Sequence, residues 1–195
     1  MPLTSYTAGD VLTAASLNNN FTFAAANPTG GLSFVSGAAF TSVTSVNLTA
    51  NTFSSTYRNY RIVLHITAAA SATAATMRLR AAGADLTTSD YRYASVGLSS
   101  TNTANNFVGN ATSSWQILDT NTDPQPTVMV VDLVAPQLAT QTLITGTFVA
   151  SNGTYSLLMQ AFSGRFTLTT VADAASFLFA GATTGVYRIY GYLDS

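Results

Sequence analysis

One imidazole is present in the chain, His65. It falls where Ile62, Leu64 and Ile66 alternate with Arg61, Val63, His65 and Thr67, a strand-like pattern that puts His65 on the polar side. A hydrolytic triad needs a nucleophile, a base and an orienting acid to converge. No Gly-x-Ser-x-Gly elbow occurs to present a serine, so His65 reads as a structural or interface residue. Asp119-x-Asn121-x-Asp123 imitates the opening of a calcium loop. Pro124 then stands where the turn requires glycine, and Val130 occupies the position of the bidentate glutamate. The stretch reads as an Asx-rich turn instead. Glycoside hydrolysis needs two carboxyl groups about 5–9.5 Å apart, one with a raised pKa. Most aspartates sit in turn-like contexts. Asp132 alone lies inside an apolar strand, as a buried, hydrogen-bonded structural group or an outward residue on an oligomer seam. Tyr187, Arg188, Tyr190 and Tyr192 end the chain with side-chain types common in contact surfaces. They fit an oligomer interface or a last strand that closes the core. No catalytic, cofactor-binding or metal-binding residue is assigned, and no enzyme activity is expected.

The poverty of such candidates follows from composition. Charged residues make up 8% of 195 positions. All seven basic residues are Arg and all eight acidic ones are Asp, with no Lys, Glu or Cys. A net charge of −1 without a basic cluster gives no footprint for nucleic acid. Without Cys there is no disulfide framework or thiolate metal site. No long apolar run predicts a membrane span, and the start of the chain lacks the basic and apolar regions of a secretory signal. Hydrophobic residues are 47% and aromatic ones 11%, enough to build a core. Lys and Glu, strong helix formers on surfaces, are replaced by 31 Thr and 20 Ser.

The elements that must position these residues therefore read as strands. Residues 1–31 form a short arm, with one short helix over 14–20 capped by Thr13 and a hinge at Asn27-Pro28-Thr29-Gly30-Gly31. From Leu32 to Ser195 about ten strands are expected. They include Phe40–Thr49, Arg61–Thr67, Met77–Ala81, Tyr91–Val96 and Ser114–Leu118. Val128–Val134 is almost continuously apolar and predicts a strand buried on both faces. Ser151-Asn152-Gly153 predicts a hairpin between Thr142–Ala150 and Tyr155–Phe162. Phe166–Val171, Ser176–Phe179 and Val186–Leu193 complete the set. The turns are expected at Gly83-Ala84-Asp85, Asp119–Pro126 and, as the longest loop, 99–113. The expected fold is all-β: an antiparallel, jelly-roll-like β-sandwich over 32–195 behind the arm.

Two groups of residues also carry a resemblance. Tyr6-Thr-Ala-Gly-Asp-Val-Leu-Thr-Ala-Ala-Ser-Leu-Asn18 resembles the AGDVLTA-type leader of many tailed-bacteriophage structural proteins. Phe53–Leu64, Met77–Gly83 and Val186–Tyr192 resemble a β-rich module of marine and cyanobacterial phage tail, fibre and decoration proteins. The resemblance implies a non-enzymatic structural protein of the virion exterior, made in the host cytoplasm and usually a homotrimer. Its arm, with Tyr6, Gly9, Asp10, Val11, Leu12, Leu17 and Phe21, would dock to other capsid or tail proteins. The sandwich would face outward as a tail-fibre or adhesin-like module, toward a host surface glycan or receptor. A capsid decoration (cement) protein and a lectin-like carbohydrate-binding module are the alternatives. Neither nucleic acid nor membrane insertion is expected.

Overall fold

The computed structural model describes residues 13, 15, 31–70, 73–100, 104–121, 126–152 and 156–193. The arm residues Tyr6, Gly9, Asp10, Val11, Leu12, Leu17 and Phe21 lie outside them. So do Asp123 and the helix expected over 14–20, apart from Ala15.

The described chain is all-β. Its strands are β1 (Leu32–Asn47), β2 (Asn59–Ala69), β3 (Thr73–Ala81), β4 (Ala84–Asp85), β5 (Tyr91–Ser99) and β6 (Ala104–Asn105). There follow β7 (Val108–Thr112), β8 (Trp115–Asn121), β9 (Thr127–Val134), β10 (Thr142–Asn152), β11 (Ser156–Phe166) and β12 (Ala174–Tyr192). Every pairing is antiparallel, as a chain of turns and hairpins without crossover helices requires. The main path runs β4-β3-β12-β2-β9-β10-β11-β5-β6. β1 lies along β12, β7 along β5 and β8 along β3.

The sheet folds over on itself because β12 serves two neighbours. Its first half, 174–179, pairs with β3, and its second half, 183–191, pairs with β2. β1 follows it on the other side throughout, with irregularities at Phe34/Ser36, Phe40/Val43 and Val43/Ser45. Bulges let paired strands bend and pass from one layer to the other. The result is a β-sandwich in which β3, β8 and the start of β12 cover β2, β9, β10, β11 and β5.

On most strands the core is the set of residues of one parity, while β8 and the start of β12 bury consecutive residues. Ile62, Leu64 and Ile66 are buried on β2, and Met77 and Leu79 on β3. They face Met129, Val131 and Leu133 of β9 and Phe177 and Ile189 of β12, all buried. At the closed end Trp115 lies edge-on to Tyr91 (centroids 4.9 Å, 88°), and Tyr91 tilts against Phe166 (4.7 Å). Tyr91 Oη accepts from Leu79 N (3.0 Å) and donates to Leu86 O (2.8 Å), which ties β5 to the β3 layer. Burial pushes this phenol well above its usual range. Each such side chain contributes roughly 1.5–3 kcal/mol by leaving water.

Several expected boundaries are corrected. Val128–Val134 is buried on one face only; Val128 is 42% exposed, because among the described residues no layer covers the outer side of β9. Much of the expected loop 99–113 is ordered pairing. β6 and β7 add to the edge of β5 because backbone hydrogen bonds do not require apolar side chains. β8 continues through Asp119 to Asn121, inside the expected turn. The turn after β3 is Ala82-Gly83, both with positive φ (49° and 80°), as a two-residue hairpin demands. Ala84-Asp85 already pairs back on β3. The β10–β11 hairpin forms, with Asn152 paired to Ser156, so its strands run beyond the expected ends. Ser176–Phe179 and Val186–Leu193 are parts of one strand, β12. Residues 167–173 are irregular, whereas a strand was expected over Phe166–Val171.

Candidate functional site

The outer face of the larger layer holds the surface that most needs explaining. The pairings align its outward residues in rows across the strands. One row reads His65, Val128, Val149, Met159, Leu98 from β2 to β5. The next reads Val63, Val130, Thr147, Ala161, Val96. Neither contains a charge between β2 and β5. Val96 (66%), Met159 (58%), Leu98 (54%) and Leu157 (50%) are exposed in these rows or at their edge. Exposed apolar residues grouped in adjacent rows, rather than scattered singly, mark a candidate interaction surface. A shallow depression runs over Val96, Leu98, Val149, Leu157 and Met159.

Toward the other end of the face the surface becomes polar. Arg61 donates from Nε to Asp132 Oδ1 (2.8 Å) and from Nη2 to Oδ2 (2.7 Å), a two-pronged pair across β2 and β9. Tyr192 Oη donates to the same Oδ1 (2.6 Å), and the Arg61 guanidinium lies 5.5 Å from the Tyr192 ring centre. Partial burial alone would raise the Asp132 pKa. The Arg61 and Tyr192 hydrogen bonds and the Arg61 charge outweigh it and hold the carboxyl below its ordinary value. That direction is opposite to what a general acid needs. Asp132 is thus hydrogen-bonded as expected, but it is partly exposed on the outer face rather than buried.

The last row joins Val134, Leu143, Arg165 and Arg92, with the two arginines directly opposite one another on β11 and β5. Between it and the apolar rows lie Thr145, Ser163 and Ala94.

The chain-end residues divide by parity. Tyr187 points inward and is 9% exposed, opposite Leu64. Arg188, Tyr190 and Tyr192 share the outer face, where Tyr190 meets Phe34 edge-on at 5.9 Å. His65 is outward and half-buried between Val128 and Val186 in register. Sequence reading missed the apolar rows, although the signal was present. The second apolar parity in β9 was assigned to burial rather than to an uncovered face.

The remaining charged cluster fastens the smaller layer. Arg80 Nη1 donates to Asp85 Oδ1 (3.0 Å) and Ser176 Oγ (2.9 Å), and Arg80 Nη2 donates to Gly83 O. Ser176 Oγ donates to the same Asp85 oxygen (2.6 Å). Asp85 so pins the hairpin to β12. Among the described residues no group of three His, Cys, Asp or Glu could hold a metal ion, and no helix is long and apolar enough to cross a membrane.

No family model matches the chain, and no curated protein matches it. Among solved structures it is similar to sucrose-6-phosphate hydrolase from Lactobacillus gasseri (TM-score 0.37, 12% identity), over 82% of this chain and 28% of the hydrolase. It is similar to a Caenorhabditis elegans galectin (TM-score 0.37, 14% identity), over 82% of this chain and 99% of the galectin. It is also similar to the CBM2 module of the evolved Dit of Lactobacillus casei phage J-1 (TM-score 0.27, 10% identity), over 77% of this chain and 69% of the module. Likenesses this distant assign neither a family nor a function.

Proposed function

We propose that this chain is a non-enzymatic structural protein of a phage virion exterior, a tail-fibre or adhesin-like module that works assembled with copies of itself. The observation that carries the reading is the uncharged apolar face formed by Val96, Leu98, Val128, Val149, Leu157 and Met159. Such a face is suited to burial against protein. Low charge supports the same reading, because a net charge of −1 gives little repulsion between copies. The leader-like residues Tyr6–Asn18 supply the anchor in this proposal and suggest the particle as its destination. The β-sandwich supplies the displayed body.

Imaging purified particles, with copies counted by quantitative mass spectrometry, tests the proposal. The expected result is a few exterior copies on the tail, arranged about a three-fold axis. Many copies at three-fold positions of the capsid would make it a decoration protein instead. Absence from purified particles would overturn the virion role altogether.

A further inference from the structure

Arg92 and Arg165 stand directly opposite each other across β5 and β11, on the outer face. Cross-strand partners have Cα atoms about 4.5–5.5 Å apart, and like charges there repel. Both side chains are exposed, and neither has a carboxylate within 4.0 Å among the described residues. Their treatment differs from that of Arg61, Arg78 and Arg80, each of which has an aspartate. The nearest acid in sequence, Asp90, accepts at Oδ1 from the Thr167 hydroxyl (2.9 Å). A chain that uses charge so sparingly thus places two free guanidinium groups side by side.

They border a groove of about 740 Å³. Its walls include the apolar Val134, Leu143 and Val108 and the amide of Asn110. That volume lies within the range of small-ligand clefts, about 300–1,000 Å³. We infer that this groove binds a carboxylate-bearing sugar, with Arg92 and Arg165 sharing the carboxylate. Guanidinium forks match carboxylate oxygens in geometry and charge. The apolar wall accepts the C–H face of a sugar ring, while Asn110, Thr145 and Ser163 face its hydroxyls. The guanidinium pair beside amide and hydroxyl groups favours an acidic glycan, whereas the uncharged apolar rows at the other end suit a protein partner better. The inference deepens the adhesin reading by naming the ligand class, an acidic surface polysaccharide, and rests on it only for biological setting.

Calorimetry on the full chain tests it, with trigalacturonate, neutral maltotriose and an aspartate-rich peptide as probes. Trigalacturonate is expected to bind and maltotriose is not. Arg92→Gln or Arg165→Gln weakens binding about tenfold each, and added salt weakens it further. Both variants keep a melting temperature equal to or above that of the wild type, since a repulsion is removed. Trigalacturonate that fails to bind, or binds unchanged to the double variant, overturns the inference. So does arginine-dependent binding of the peptide alone, which would mark a protein contact. Failure here with the chain present on particles defeats only the glycan assignment. Binding without presence on particles defeats the virion role instead.

Discussion

At the scale of single residues, Asp132 shows how a side chain flagged for chemistry is used for structure. Its two oxygens accept three hydrogen bonds, from Arg61 and Tyr192. Because its folded pKa lies below the unfolded one, it adds stability above the unfolded value, about 3.9. That stability is lost as pH falls through the folded value. Asp132→Asn should therefore destabilise the protein by up to about 1 kcal/mol at neutral pH, the pair being partly exposed. The gap to wild type should shrink in urea titrations as the pH is lowered past the folded pKa. A gap independent of pH would contradict the assignment. Sequence located Asp132 in an apolar strand but not its partners, since Arg61 lies 71 positions away in the chain. Pairing between β2 and β9 brings them together, and no local pattern encodes it.

At the scale of elements, strands with strict alternation were legible. Arg61–Thr67 and Met77–Arg80 fold with the expected faces inward, since period two determines which side meets the core. β12 was not legible as one strand. Gly181 to Gly185 looks like a break, yet it is where the strand changes neighbours between layers. Small residues also matter where layers approach closely. A Cβ on Gly164 would lie 2.5 Å from Arg92 O and 3.0 Å from the Trp115 ring. Gly164→Ala should cost about 1–3 kcal/mol by forcing β5 or Trp115 aside. Thermal unfolding with Trp115 fluorescence measures this, and an unchanged midpoint would show that the packing at β11 is looser than described.

At the scale of the molecule, composition announced an all-β body with little ionisable material, and the structure agrees on the fold. It did not reveal that one broad face has no covering layer among the described residues. Apolar residues of the second parity look the same in sequence whether a layer or a partner covers them. The central claim is that the apolar rows of this face, around Val96, Leu98, Val128, Val149 and Met159, are an interface between copies. Light scattering on the full chain, beside Met159→Asp, tests it most directly. Met159 lies mid-row and exposed, so a charge there should spare the fold but oppose burial. The account predicts a homotrimer for the wild type and a shift to monomer for the variant, with unchanged circular dichroism. A wild type that stays monomeric, or a variant that assembles equally well, would contradict it.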